Sequence, residues 1–194
     1  AKGGKLVGAD IFFRVQTHTG TETMMMAAAL AEGTTTLKNC AMEPEIVDLA
    51  NFLNSCGAHI RGAGTPTIEI IGGELLRSNG DPYRVLPDRI EAGTYMCAAA
   101  ITNEKLKISK VIPLHLESII SKLEEMNFQV IQDEDSVTIL PTNEIKPVNI
   151  VTTEYPGFPT DMQAQFMALA TQANGVSTID ERLFENRFMH VSEL

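Results

Sequence analysis

Two short segments carry the side chains best suited to chemistry. Tyr155-Pro156-Gly157-Phe158-Pro159-Thr160-Asp161-Met162-Gln163-Ala164-Gln165 brings a hydroxyl and a carboxylate to a point where a helix should begin. A helix start exposes free N–H groups and partial positive charge, so it holds anions and tunes carboxylates. Thr160 or Asp161 there can serve as an N-cap, the usual work of these residue types, or Asp161 can act as a general base. The double-proline approach and the aromatic pair exceed what a cap requires. Phe184-Glu185-Asn186-Arg187-Phe188-Met189-His190 places a carboxylate, an amide, a guanidinium and an imidazole between apolar side chains. A solvated face does not normally alternate with Phe and Met in this way. Arg187 can pair with Asp161, or grip a carboxylate or phosphate bidentately; a structural salt bridge is the alternative.

The elements that must position these residues come from an internal repeat. Ala-rich runs at Ala27 and Ala98 lie 71 positions apart, and Gly33 and Gly175, like Glu43 and Glu185, lie at twice that spacing. A long fixed period marks a unit that buries its apolar face by stacking on its neighbours. The third copy breaks off at Leu194, so the chain is expected to be a piece of something larger. One copy reads strand, helix, strand, helix, strand, strand. Ala9–Phe13 is a short apolar run, and Gly20-Thr21-Glu22 is expected to open a helix rich in Met and Ala. Pro44 suits the first position of the next helix. Ile46, Leu49, Ala50 and Leu53 follow as one apolar stripe, and Gly57 is placed to end it. His59–Arg61 and Thr67–Ile71 read as a hairpin. The second copy matches with Leu116, Ile119, Ile120 and Leu123, then Gln129–Gln132 and Ser136–Leu140. Each unit is therefore expected to be a four-stranded sheet backed by two helices. A domain boundary is expected near Pro87.

Composition narrows the partners. The 194 residues carry a net charge of −10, which argues against nucleic acid, because neutralising phosphates needs a basic face. No apolar run reaches membrane-spanning length, and Ala1-Lys2-Gly3-Gly4-Lys5 lacks the apolar stretch of a secretory signal. Cys40, Cys56 and Cys97 show no metal-ligand spacing and are expected to be buried, reduced thiols. The expected compartment is the bacterial cytoplasm, with no metal and no cofactor.

Four segments together resemble a known family. Phe158–Gln165, Phe184–His190, Glu43-Pro44-Glu45-Ile46-Val47-Asp48 and Arg84-Val85-Leu86-Pro87-Asp88-Arg89-Ile90-Glu91 are similar to signature segments of the UDP-N-acetylglucosamine enolpyruvyl transferases, in family order from about Lys5 to Leu194. The resemblance implies an α/β fold of repeated units arranged as an inside-out α/β barrel. It implies residues 1–87 as the last repeat of a first domain, and 88–194 as part of a second, with one full repeat and a truncated one. The implied enzyme moves the enolpyruvyl group of phosphoenolpyruvate to the 3-hydroxyl of UDP-N-acetylglucosamine, the first committed step of peptidoglycan synthesis. Asp161 then resembles the proposed general base at the sugar hydroxyl, and Leu183 a backbone contact to the nucleotide. Asp88 matches a cleft aspartate, while Arg187 and Glu43 align with polar residues near the cleft. Val15, Gln16, Thr17 and His18 fall in the nucleotide-phosphate loop. That loop departs from the family's usual Ser-Val-Gly-Ala-Thr.

No cysteine here has the Arg- and Pro-containing setting of the family's reactive thiol, so the chain alone is expected to be inactive. A shikimate-pathway enolpyruvyl transferase and a non-catalytic sugar-nucleotide-binding or scaffold module are the alternatives. Without its second helix, the third copy is expected to leave Phe166, Leu169, Ile179 and Phe188 partly bare, which favours self-association.

Overall fold

A computed structural model describes residues 4–194; Ala1–Gly3, the start of the amino-terminal segment read above, lie outside the described residues. The chain forms two compact units, Ala1–Leu86 and Pro87–Leu194.

In the first unit, β1 (Asp10–Phe12), α1 (His18–Ala29) and β2 (Gly33–Lys38) form a crossover whose strands pair in parallel, Asp10 opposite Thr36. α2 (Pro44–Ser55) follows, then β3 (His59–Arg61) and β4 (Thr67–Gly72), an antiparallel hairpin with His59 opposite Ile71. The sheet runs β1-β2-β4-β3. Successive strand side chains face opposite ways, so Ile68 and Ile70 enter the core while Thr67, Glu69 and Ile71 face outward. Met25 of α1, Leu37 of β2 and Ile46 of α2 meet them, all fully buried. Each such side chain contributes about 1.5–3 kcal/mol by leaving water.

Pro44 stands at the start of α2, where its missing N–H costs nothing. The helix ends through Gly57 at φ +98°, a conformation that favours glycine, with Ala58 N–H bonding the Leu53 carbonyl. The Asn54 side chain then bonds both backbone groups of Ile60 on the edge strand, at 3.0 and 2.8 Å. Tyr83 pins the chain after β4 onto α2: its hydroxyl lies 2.9 Å from Asp48 Oδ1, and its ring meets Phe52 edge-on at 5.2 Å. Burial first, then the bond to Asp48 and its charge, push the Tyr83 hydroxyl up to about 12.

The second unit opens with α3 (Arg89–Thr102), β5 (Leu106–Ser109) and a short 3-10 turn at Pro113–Leu116. α4 (Glu117–Glu125), β6 (Val130–Gln132) and β7 (Ser136–Ile139) complete a sheet of order β5-β7-β6. The second copy thus has three strands where four were expected. Residues 81–88, before α3, join no ladder, and Pro82 and Pro87 bring no N–H to one. The third copy supplies β8 (Asn149–Val151), a 3-10 turn at Thr160–Met162, α5 (Gln163–Ala170) and β9 (Thr178–Asp180). β8 and β9 pair in parallel, Asn149 opposite Thr178.

α5 packs on α3. Gly93 lets α4 and the turn before α5 close on α3: a Cβ there would stand 2.7 Å from Ile119 Cδ1 and 3.0 Å from Met162 Sδ. Phe166 and Leu169 are therefore fully buried, and Phe158 meets Phe166 edge-on at 4.9 Å. The expectation that these two would be bare is corrected, because α3 and the 145–158 segment give α5 its core. Phe188 is exposed as expected, and Val176, Phe184, Met189, Val191 and Leu194 near the end are exposed with it.

Cys40 and Cys97 are buried, and burial pushes the Cys97 thiol up to about 12. Cys56 is half-buried at the carboxy-terminal end of α2, which corrects the expectation of three core thiols. Among the described residues no helix is long and apolar enough to cross a membrane.

Candidate functional site

Helix α1 starts at His18, two residues ahead of Gly20, because Thr17 caps it. Thr17 is extended, and its hydroxyl accepts from Gly20 N–H at 3.3 Å. Buried Thr21 donates to the Thr17 carbonyl at 2.7 Å and accepts from Ala41 N–H at 3.1 Å. Gln16 Nε2 donates to the Cys40 carbonyl at 2.6 Å, so its amide ties this turn to the segment between β2 and α2. Val15 is exposed. His18 faces Glu22 at 3.8 Å through Nδ1 and Glu45 at 4.0 Å through Nε2, which brings the starts of α1 and α2 together. Glu43 sits at the N-cap of α2 without capping it, and its Oε2 is buried with no hydrogen-bond partner among the described residues. The four loop residues and Glu43 therefore share one end of the first unit.

The remaining predicted residues lie in the second unit. Asp88 caps α3, with Oδ1 accepting from Ile90 N–H at 2.8 Å and Glu91 N–H at 3.0 Å. The neighbouring Arg89 guanidinium lies 5.6 Å above the Tyr155 ring, within the range of a cation–π contact. Thr94, one turn on, accepts from Gln165 Nε2 at 3.0 Å.

Asp161 caps nothing. It stands in the 3-10 turn before α5, and neither it nor Thr160 bonds a free N–H of that helix. Its Oδ1 instead accepts from Arg187 Nη1 at 2.9 Å, and the two side chains are 58% and 38% exposed. The Arg187 guanidinium also stacks 4.9 Å over Phe184. Asn186 adopts φ +60°, the left-handed turn that folds residues 183–188 back toward Asp161. An accessible carboxylate held by one hydrogen bond can accept a proton, and the adjacent guanidinium can hold an anion.

One residue escaped the sequence reading. Glu181, just after β9, accepts from the Thr160 hydroxyl at 2.7 Å, the Thr152 hydroxyl at 2.8 Å, Leu183 N–H at 2.9 Å and Phe184 N–H at 3.2 Å. Burial raises its pKa, but these four bonds outweigh burial and hold the carboxyl below its usual range. The signal was the parallel β8–β9 register, which sets Val151 opposite Asp180 and so carries Thr152 to Glu181. The Leu183 N–H is thus engaged within the chain. Among the described residues there is no group of three or more His, Cys, Asp or Glu able to hold a metal ion.

The chain is 72% identical over 189 residues to a UDP-N-acetylglucosamine 1-carboxyvinyltransferase of Aliarcobacter butzleri, covering 97% of this chain and 45% of that protein. It is 58% identical to one of Campylobacter jejuni, covering 98% and 46%. The chain therefore spans about half the length of the curated relatives it matches. The crystal structure of the enolpyruvyl transferase NikO from Streptomyces tendae matches with a TM-score of 0.82 at 25% identity, over 98% of this chain and 48% of that one. An EPSP synthase from Acinetobacter baumannii, at 19% identity and a TM-score of 0.64, shares the fold. Residues 1–194 match the family described as EPSP synthase (3-phosphoshikimate 1-carboxyvinyltransferase), and the chain belongs to that family.

Proposed function

We propose that this chain supplies the Asp161 side of an enolpyruvyl transferase acting on UDP-N-acetylglucosamine and phosphoenolpyruvate. The observation that carries the reading is Asp161 itself, left out of helix capping, open to solvent and 2.9 Å from Arg187. The names of the relatives at 72% and 58% identity support the sugar nucleotide over shikimate as acceptor.

In this reading Asp161 removes the proton of the sugar 3-hydroxyl as its oxygen bonds to C2 of phosphoenolpyruvate and the C2=C3 π pair takes up a proton at C3. In a later step a C3 proton is lost as phosphate leaves, which restores the double bond. Arg187 holds Asp161 in place. Leu183 contacts the nucleotide, and Asp88 and Glu43 are further substrate-binding residues; the Glu43 oxygen, without a partner among the described residues, favours a donor from substrate. Val15, Gln16, Thr17 and His18 border the diphosphate. Residues 1–87 form the last repeat of one domain and 88–194 open the next. The site of action is the bacterial cytoplasm, in the first committed step of peptidoglycan synthesis. Exposed Val176, Phe188 and Met189 support self-association when the chain is alone.

The test is phosphate release from the two substrates. The 194-residue chain should release none, and a chain extended to the length of its relatives should turn over. Turnover by the 194 residues alone would overturn the reading.

A further inference from the structure

We infer that Glu181 is a positioning residue that sets the spacing between the Asp161 turn and the Leu183–Arg187 loop. The inference rests on the roles proposed above for Asp161 and Leu183. One carboxylate holds four donors drawn from three places: Thr152 at the end of β8, Thr160 beside Asp161, and the Leu183 and Phe184 amides. Phe184 carries the Arg187 guanidinium on its ring, and Arg187 reaches Asp161. The contacts close a ring: Asp161, Thr160, Glu181, Phe184, Arg187 and back to Asp161.

Relative strengths decide which contact fixes the ring. The Asp161–Arg187 pair is largely exposed, and exposed pairs contribute little. Bonds to an ionised carboxylate are roughly twice as strong as neutral ones, and Glu181 makes four of them in a partly buried place. Thr152 and Thr160 are themselves buried, which shields two of the four. Arg182 turns away to Asp180 at 2.7 Å, so the Glu181 charge answers to hydroxyls and amides rather than to that cation. The β8–β9 pairing already has its own backbone ladder. What Glu181 adds is the relation between loop and turn.

Two variants separate positioning from plain stability. In the 194-residue chain, Glu181→Ala should speed amide exchange at Leu183 and Phe184 at least about tenfold and move both amide protons upfield, with exchange in β5–β7 unchanged. Thr160→Val keeps the carboxylate and both amide bonds, so it remains informative if Glu181→Ala misfolds. In the chain extended to the relatives' length, Thr160→Val should lower kcat about tenfold with KM for the sugar nucleotide unchanged. Glu181→Ala should lower kcat and raise that KM, and Glu181→Gln should recover part of both. Unaltered Leu183 and Phe184 amides in a folded Glu181→Ala chain would overturn the inference. So would a Thr160→Val enzyme with wild-type kcat. Full activity of Asp161→Asn would instead defeat the proposed base, and the amide result would still decide the role of Glu181 in holding the loop.

Discussion

Asp88 and Asp161 stand in comparable places, each just ahead of a helix of the second unit, yet the two carboxylates are used differently. Asp88 gives one oxygen to two backbone amides of α3 and so completes that helix. Asp161 lies inside the 3-10 turn that leads into α5, bonds none of that helix's free N–H groups and reaches Arg187 instead. The same side chain stabilises a helix in one case and remains available for proton transfer in the other. A residue type at a helix start therefore does not say whether the residue caps; its place ahead of the helix or inside a preceding turn does.

The largest effect that tests this contrast is on catalysis. In the chain extended to the relatives' length, Asp161→Asn should slow turnover by roughly two to four orders of magnitude, while chemical denaturation shifts by less than about 0.5 kcal/mol. Asp88→Ala should cost about 1 kcal/mol of stability through the lost cap, read by urea unfolding of the same protein. If Asp161→Asn destabilises as much as Asp88→Ala, the two residues do the same work and the contrast fails.

Cys97 sharpens the comparison because it lies buried on α3, the helix that Asp88 caps. Its raised pKa and burial make native labelling slow. Asp88→Ala should quicken labelling of Cys97 about fivefold, the factor that about 1 kcal/mol of cap loss implies, and Asp161→Asn should leave it unchanged. Half-buried Cys56 should react first in every variant. Equal acceleration by both substitutions would show that α3 does not depend on its cap.

The smallest effect is acid loosening near Asp161. Glu181 has a folded pKa below its ordinary value of 4.5. Its contribution is therefore fully present above 4.5 and is lost as pH falls through the lower folded value. Amide exchange at Leu183 and Phe184, corrected for intrinsic pH dependence, should rise over that acid interval, and it should not do so in Glu181→Gln. A flat profile in both proteins would remove the ionised carboxylate from the account.

Patterns confined to one element were readable in advance. Pro44, the Ile46–Leu53 stripe and Gly57 give α2 its bounds, and the short hairpin after it follows from alternation. The start of α1 was less readable, since Thr17 displaces Gly20 by a single hydroxyl bond. The missing fourth strand of the second copy depends on whether a proline-bounded segment finds a ladder, which no local pattern states. Phe166 and Leu169 depend on α3, which is distant in sequence. At the site, Asp161 and Arg187 stand out by residue type, whereas Glu181 resembles any surface glutamate until Thr152 and Thr160, 29 and 21 positions away, are brought to it.

The Asn54 amide has a consequence for how the chain behaves in a crowded solution. An edge strand is normally a template on which a second chain can add a rung. On β3 the outward-facing backbone pair belongs to Ile60, and Asn54 already occupies both its donor and its acceptor. A side chain here does the work of the absent neighbouring strand, so that edge of the sheet is closed to templated growth by a residue of its own helix.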